Sequence, residues 1–232
     1  MDRPRELTKT EKFLGIVPGD VVSFVGGGGK SMLMHSIAAR LAKEDRRVVC
    51  AATRDFRPAP GESPYRFLTD ERPFGELMPN LQEHGTVTVA AERLEDGMLK
   101  GYRPDEIDTF TDLADYVFVE AEDAGGASLP EPVTTPRPIP RLTTVVCAVA
   151  GLDALGPDLD CAAFAEVLTD AGGILRCFPA ARRIVLMLNK ADRHPVRLDG
   201  ARVAKLAKDD LGGEGPPVHV LLTSVKDYMK RV

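Results

Sequence analysis

The stretch FVGGGGKSMLMHSIAARL, Phe24 to Leu41, places four consecutive glycines between an apolar run and a Lys-Ser pair. Met32, Leu33 and Ile37 then recur at helical spacing. Glycines let a backbone adopt positive φ and approach a polyphosphate closely, and a helix N-terminus presents unpaired N–H groups with a partial positive charge. The stretch therefore predicts a phosphate-binding loop between a strand and a helix, formed by Gly26, Gly27, Gly28, Gly29, Lys30 and Ser31.

This loop departs from the standard pattern G-x-x-x-x-G-K-[ST], because the first glycine of that pattern would fall on Phe24. A flexible turn that contains Lys-Ser is the alternative interpretation. The strand before the glycines and the helix after them favour phosphate binding. In that role the Lys30 ammonium is a catalytic group that neutralises phosphate charge, and the Ser31 hydroxyl is a ligand of a phosphate-bound Mg²⁺ ion.

The rest of the chain predicts an α/β fold with a mostly parallel sheet. Its 232 residues, 44% of them hydrophobic, suit one domain over 1–232. Runs of Val, Ile and Leu alternate with helical patterns, which predicts about six strands with helices on both faces. Together with the glycine stretch, this arrangement resembles that of P-loop NTPases. Strands are expected at Val21–Val25, Val48–Ala52, Tyr116–Glu120, Thr144–Ala150, Ile184–Asn189 and Val218–Thr223, and Thr86–Leu94 is a candidate for a seventh at an edge. Helices are expected at Lys30–Lys43, Asp105–Leu113, Ala162–Asp170 and Leu198–Leu211.

Two proline-rich segments interrupt this alternation, Arg54 to Pro79 (54–79) and Ser128 to Arg141 (128–141). Proline fixes φ and lacks an N–H donor, so neither segment is expected to form a central strand. We expect ordered loops or excursions from the domain, with a linker or a mobile lid as the alternative. Loops of this length in a compact domain are often functional.

Charge and cysteine usage exclude several classes of partner. The net charge of −5, with both signs interspersed, provides no broad basic field for nucleic acid or for an anionic membrane. The four cysteines, Cys50, Cys147, Cys161 and Cys177, form no zinc-binding pattern, so reduced thiols are expected. The N-terminus lacks the apolar region of a secretory signal, and no apolar run reaches membrane-spanning length. We therefore expect a cytoplasmic location.

The third expected strand ends in an acidic stretch, VEAEDAGG. Glu120, Glu122 and Asp123 are candidates to hold Mg²⁺ or its water shell, and Glu120 is the preferred catalytic residue on the magnesium side. Thr53, after the second strand, stands where a second magnesium or γ-phosphate contact is expected, but it can equally cap the following turn. Exposed strand ends are often charged, which is the alternative interpretation of the carboxylates.

A second nucleotide signature, Asn-Lys-x-Asp, follows the fifth expected strand. In GTP-binding proteins the Asp of this pattern accepts hydrogen bonds from guanine, the Asn contacts the O6/N7 edge and the Lys stem lies over the base. The sequence predicts these roles for Asn189, Lys190 and Asp192, with a surface turn as the alternative. The sixth expected strand leads into a further base-contacting stretch, and together these motifs follow the chain order of a Ras-like GTPase. That stretch comprises Ser224, Val225 and Lys226.

Several stretches resemble the YqeC-type proteins, a family described as selenium-dependent hydroxylase accessory proteins or selenium cofactor biosynthesis proteins. The resemblance is carried by FVGGGGKS, VFVEAEDAGGASLPEP, VVCAVAGLDALG and LTDAGGILRCFPAARRIVLMLNKAD. It implies a P-loop nucleotide-binding fold and a role in the maturation of selenium-dependent molybdenum hydroxylases. By position, Gly28, Gly29, Lys30 and Ser31 fall on the family's Gly-Gly-Lys-Thr, and Glu120 falls on the Glu of its Glu-Ala-Asp-Gly.

The chain departs from that family pattern around the acidic stretch. Glu122 and Asp123 replace the family's Asp and Gly, and Pro130 lies in SLPEP where the family has Pro-Leu-Lys. The family's run of threonines after the second strand is reduced to Thr53. These differences leave the reaction open while the implied fold is unaffected.

Three functions are compatible with these motifs. The leading expectation is Mg²⁺-dependent binding and slow hydrolysis of a nucleoside triphosphate, with GTP somewhat favoured over ATP. The reaction would assist selenium and molybdenum cofactor maturation, with a molybdenum hydroxylase or its maturation proteins as partners. The alternatives are phosphoryl or nucleotidyl transfer to a small cofactor precursor, and a non-hydrolysing nucleotide-binding or degenerate P-loop scaffold for a partner protein.

Overall fold

A computed structural model describes residues 6–57, 66–69, 74–121, 139–152, 181–190 and 217–224. These residues form one parallel sheet of eight strands with four α-helices. The strands are β1 (Val21–Gly26), β2 (Val48–Ala52), β3 (Arg66–Leu68), β4 (Thr86–Ala90), β5 (Tyr116–Glu120), β6 (Thr143–Gly151), β7 (Arg183–Asn189) and β8 (Val218–Leu222). The helices are α1 (Lys9–Leu14), α2 (Lys30–Lys43), α3 (Leu77–His84) and α4 (Pro104–Ile107), with 3₁₀ turns at Phe74–Glu76 and Asp108–Phe110.

The strand order across the sheet is β3-β4-β2-β5-β1-β6-β7-β8, and every adjacent pair is parallel. Strand β1 therefore lies near the middle, between β5 and β6. The register pairs Phe24 with Glu120 and Gly26 with Val149, so the carboxyl ends of three strands meet where the glycines begin. A parallel sheet of this kind binds ligands at that edge.

Both faces of the sheet are covered, because successive strand residues point to opposite sides. On one face, Leu33 and Ile37 of α2 belong to a buried cluster with Phe24. On the other, Leu77 of α3 and Phe110 belong to a second buried cluster. Burying one such side chain contributes about 1.5–3 kcal/mol, so tertiary packing holds these helices on the sheet.

Helix α1, which the sequence did not predict, is fixed by a buried carboxylate. Thr8 and Glu11 form a capping box, and Glu11 also accepts hydrogen bonds from Arg46 Nε at 2.6 Å and from Tyr116 Oη at 2.6 Å. Burial opposes ionisation of Glu11, but the hydrogen bonds from Arg46, Tyr116 and the Thr8 N–H outweigh it and lower the pKa of this carboxyl to about 2. The network ties α1 to the segment after α2 and to β5.

The parallel α/β fold with helices on both faces is confirmed, and two strands agree residue for residue with the expectation, Val48–Ala52 and Tyr116–Glu120. The edge position expected for Thr86–Leu94 is wrong. Strand β4 is shorter and lies between β2 and β3, because β3 pairs along its outer side.

The other differences concern helices and loops. The 54–79 segment contributes β3 and the start of α3, where Pro79 lies in the first helical turn and needs no acceptor for its missing N–H. The helix expected over Asp105–Leu113 is a single α-turn followed by a 3₁₀ turn. The helices expected at Ala162–Asp170 and Leu198–Leu211, and most of 128–141, lie outside the described residues. Among the helices of the described ranges, none is long and apolar enough to cross a membrane.

Candidate phosphate-binding site

The four glycines form a tight loop between β1 and α2. Gly26, Gly28 and Gly29 have φ of 90°, 77° and 102°, a region that side chains with a Cβ rarely adopt. The N–H of Gly27 donates to the carbonyl oxygen of Val149 at 2.9 Å, and a Cβ on Gly26 would collide with that same oxygen. The loop is therefore held against β6 and leads directly into the N-terminus of α2.

Lys30, Ser31 and Glu120 come together beside this loop. The buried Lys30 Nζ donates to the carbonyl oxygen of Gly26 at 2.8 Å and lies 3.7 Å from Glu120 Oε1. The Ser31 hydroxyl donates to the same carboxylate oxygen at 2.9 Å. The parallel pairing of β1 with β5 produces this arrangement, because it brings the end of β5 alongside the start of α2.

The end of β5 is also joined to the segment that follows β2. The Thr53 N–H donates to the Glu120 carbonyl oxygen at 3.0 Å, and the Thr53 hydroxyl lies 3.5 Å from that oxygen. Among the described residues, no group of three or more His, Cys, Asp or Glu side chains could hold a metal ion. The Ser31 hydroxyl and the Glu120 carboxylate do fit Mg²⁺, since both offer the oxygen ligands that this ion prefers.

Asn189, at the end of β7, contacts the glycine loop. Its side chain is fully buried, and Nδ2 donates to the carbonyl oxygen of Gly28 at 2.9 Å. The hydroxyl of Thr223 lies 3.4 Å from Asn189 Oδ1 on the other side. Asn189 thus connects the ends of β7 and β8 to the glycines, a contact that the sequence pattern did not predict.

The structure describes only some of the residues that the sequence predicts to contact the base. Lys190 has a left-handed backbone, with φ of 62°. Ser224 is buried, and its hydroxyl has no hydrogen-bond partner among the residues that the structure describes. The remaining expected site residues lie outside those ranges, namely Asp192, Val225 and Lys226 at the base and Glu122 and Asp123 at the magnesium side.

A cavity of about 310 Å³ opens on the Ser31 and Glu120 side of the loop. Its walls come from the segment after β2 and from the turn after β4, and they include Arg54, Phe56, Arg57 and Met98. The sequence did not identify these residues as a site. For Arg54, Phe56 and Arg57, the position shortly after a predicted strand was the available signal, because the carboxyl ends of parallel strands share one edge of the sheet.

The chain has measurable similarity to known proteins. A curated relative, "Uncharacterized protein YqeC" of Escherichia coli (strain K12), is 27% identical over 144 residues, which cover 59% of this chain and 53% of the relative. The chain thus spans about half the length of that relative. The crystal structure of HypB from Helicobacter pylori in complex with nickel is 16% identical in sequence and gives a TM-score of 0.41. The similarity covers 95% of this chain and 85% of the HypB chain. The hydrogenase maturation factor HypB from Archaeoglobus fulgidus is 12% identical and also gives a TM-score of 0.41. That similarity covers 96% of this chain and 89% of the other.

The match at the level of families covers more than half of the chain. The family model described as "YqeC protein" matches residues 22–166, which include β1 from its second residue, the glycine loop and the end of β5. The family resemblance seen in the sequence is thereby confirmed, and the chain belongs to the YqeC protein family.

Proposed function

We propose that this protein binds a nucleoside triphosphate together with Mg²⁺ in the glycine loop and hydrolyses it slowly. The observation that carries this proposal is the meeting of Lys30 and Ser31 with Glu120, at 3.7 Å and 2.9 Å, beside a loop of positive-φ glycines. Backbone N–H groups and a lysine are what a polyphosphate needs at a helix N-terminus. Catalysis of this kind depends on positioning and on charge neutralisation.

Magnesium would be held between the nucleotide phosphates and the Ser31–Glu120 pair. Bound there, the ion would neutralise charge on the phosphate that is transferred to water. Lys30 would exchange its contact with the Gly26 carbonyl for the phosphate oxygens, and Ser31 and Glu120 would orient the ion. Thr53, Glu122 and Asp123 are proposed as further contacts to the ion, to its water shell or to the γ-phosphate.

We propose a preference for guanine, with the base near the ends of β7 and β8. Lys190 and Asp192 would contact the base itself. The Ser224 hydroxyl is buried and has no hydrogen-bond partner among the described residues, which supports a polar ligand at this place. Val225 and Lys226 would complete the contact. Asn189 would join the base to the phosphate loop through its bond to the Gly28 carbonyl oxygen.

We further propose that nucleotide turnover assists the maturation of selenium-dependent molybdenum hydroxylases in the cytoplasm. This role rests on the description attached to the YqeC-type family. The partner would be a molybdenum hydroxylase or one of its maturation proteins, and it would raise a low intrinsic rate. Phosphate release measured with and without such a partner tests this part of the proposal.

Thermal unfolding with Mg²⁺ and GTP, GDP, ATP or CTP tests binding and base choice together. A nucleotide at about 100 times its Kd stabilises the fold by about 2.7 kcal/mol, or roughly 5–10 °C for a chain of this size. GTP and GDP should give the larger shifts, and Lys30→Ala should remove them. Lys43→Ala, at the exposed last residue of the same helix, is the matched control and should retain them. The proposal fails if the folded wild type shows no shift with any nucleotide.

Phosphate release separates hydrolysis from binding alone. Glu120→Gln keeps an oxygen that can accept from Ser31 but removes the charge next to the ion, so turnover should fall on the order of a hundredfold. Glu83→Gln changes an exposed carboxyl on α3 and should leave turnover unchanged. Wild-type protein that binds nucleotide but releases phosphate no faster than Lys30→Ala would instead be the non-hydrolysing scaffold.

A further inference from the structure

The cavity beside the phosphate loop has a defined shape because hydrogen bonds fix its walls. Phe56 and Leu99 exchange two backbone hydrogen bonds, at 2.9 Å and 2.8 Å, in an antiparallel bridge. The Tyr102 N–H donates to the Ala52 carbonyl oxygen at 2.9 Å. Gly101 lies so close to this segment that a Cβ there would collide with the carbonyl oxygen of Arg54. The segment after β2 is therefore held firmly against the turn after β4.

Some of the charged side chains around this cavity have hydrogen-bond or ion-pair partners, and one has none within the described ranges. Glu120 is engaged by Lys30 and Ser31, and Asp55 accepts a hydrogen bond from the Gly101 N–H at 3.3 Å. By contrast, Arg54 is exposed and makes no ion pair or side-chain hydrogen bond with any residue that the structure describes.

A second arginine is already paired. Arg57 lies 3.3 Å from Asp96, and both side chains are largely exposed. Arg54 is therefore the cation on the cavity wall that has capacity to bind a ligand, and the guanidinium geometry suits a carboxylate or a phosphate.

We propose that this cavity is the binding site of a second ligand, a small organic anion that carries a phosphate or a carboxylate group on an apolar body. Arg54 would bind the anionic group, while Phe56 and Met98 would contact the apolar part. The volume of about 310 Å³ is at the lower end of the range for small-molecule sites.

The position of this ligand follows from shared wall residues. Ser31 and Glu120 line the cavity and also belong to the magnesium end of the phosphate site, so the inference rests on the proposed nucleotide site. The ligand would adjoin the γ-phosphate end of the nucleotide. Phosphoryl transfer to a small precursor, which is one of the alternative functions that the sequence allows, would need a second ligand at this place.

Calorimetric titration of nucleotide-loaded protein tests the inference. The protein is first saturated with Mg²⁺ and the non-hydrolysable β,γ-imido analogue of GTP, and this first titration reports on the nucleotide site by itself. Phenyl phosphate, benzoate and phenol are then added separately. We expect at least one of the two anions to bind about tenfold or more tightly than neutral phenol, since a hydrogen-bonded charge pair contributes at that level.

Two arginine variants assign that binding to the cavity. Arg54→Ala should lower the affinity for the anion about tenfold. Arg93→Ala, which removes an exposed arginine outside the cavity wall, should leave its affinity unchanged. Phenyl phosphate and benzoate that both bind no better than phenol, or that bind equally well to Arg54→Ala, would overturn the inference.

Other results separate the inference from related explanations. Loss of nucleotide binding in the first titration, with the anion still bound through Arg54, would refute the proposed function and leave the cavity site standing. If Arg54→Ala slows phosphate release about a hundredfold without any organic anion and leaves anion affinity unchanged, Arg54 acts on the nucleotide and the second-ligand site is refuted. The phenyl phosphate and benzoate arms distinguish a phosphate ligand from a carboxylate ligand.

Discussion

Asn189 Nδ2 donates a hydrogen bond to the carbonyl oxygen of Gly28 at 2.9 Å. The same nitrogen lies 3.0 Å from the point that a Cβ on Gly29 would occupy, so it packs closely against the loop. Asn189 belongs to a pattern that predicts guanine recognition, and it also supports the glycine loop where we propose that the phosphates bind. Since Asn189 is fully buried, its role depends on its contacts with the protein as much as on any contact with a ligand.

Replacing Asn189 by alanine should weaken the binding of nucleotides whatever their base. Asn189→Ala leaves the Gly28 carbonyl without this donor and opens space beside Gly29, so the loop loses its fixed shape. A buried hydrogen bond of this kind contributes about 1 kcal/mol, and the unsatisfied partner adds a further cost. We expect the affinities for GTP and ATP to fall by similar factors, about tenfold, in calorimetric titrations.

Thr223→Val is the matched control for this variant. It removes the hydroxyl that lies 3.4 Å from Asn189 Oδ1 and keeps the side-chain shape, so its effect should be smaller. If Asn189→Ala lowers the affinity for GTP but not for ATP, the side chain acts through the base, and its role in holding the loop is refuted.

Much of the sheet could be predicted from the sequence, because buried parallel strands are short runs of β-branched and other apolar residues. The order of the strands across the sheet could not be predicted in this way. Strand β5 lies between β1 and β2, although it follows both in the chain, and this insertion brings Glu120 to Ser31 across 89 residues of sequence. The sequence identified Glu120 only as an acidic strand end, whereas the contact itself depends on sheet topology.

Short elements and loop contacts were harder to predict. Helix α1 has six residues, too few for a clear apolar period, although the pair Thr8 and Glu11 has the spacing of a capping box. The cavity depends on backbone bonds between Phe56 and Leu99, which no periodic pattern specifies. The role of Asn189 in the loop depends on which partner its amide reaches, information that a four-residue motif does not contain.

The buried Glu11 carboxylate should make stability fall at acid pH. Its pKa in the folded protein is about 2, against an ordinary value of 4.5, because Arg46 and Tyr116 donate to it. A lowered pKa gives stability that is fully present above about 4.5 and is lost as the pH falls toward 2. From the two pKa values, roughly 2 kcal/mol of the free energy of unfolding should be lost by about pH 3. Urea unfolding between pH 7 and pH 3 measures this loss.

Glu11→Gln assigns that pH dependence to one group. The variant should be less stable at pH 7 by about 3–5 kcal/mol, since Arg46 stays buried without its counter-charge, and its stability should fall less steeply on acidification. Glu92→Gln removes a carboxyl from the exposed pair with Lys100 and should retain the wild-type profile. An unchanged acid slope in a folded Glu11→Gln protein would show that other carboxyls cause the loss.

The first glycine of the loop should tolerate no side chain, and a second glycine allows the reason to be measured. Gly26 and Gly97 both have positive φ, 90° and 79°, but a Cβ on Gly26 would collide with the Val149 carbonyl oxygen, whereas one on Gly97 would meet nothing within 4 Å. Gly97→Ala should therefore cost only the backbone strain, about 1–2 kcal/mol in urea unfolding. Gly26→Ala should cost clearly more, because β1 must also move away from β6, and it should abolish the nucleotide-dependent thermal shift that Gly97→Ala keeps. Equal losses of stability in the two variants, with nucleotide binding intact in both, would show that the loop does not depend on the close approach of Gly26 to Val149.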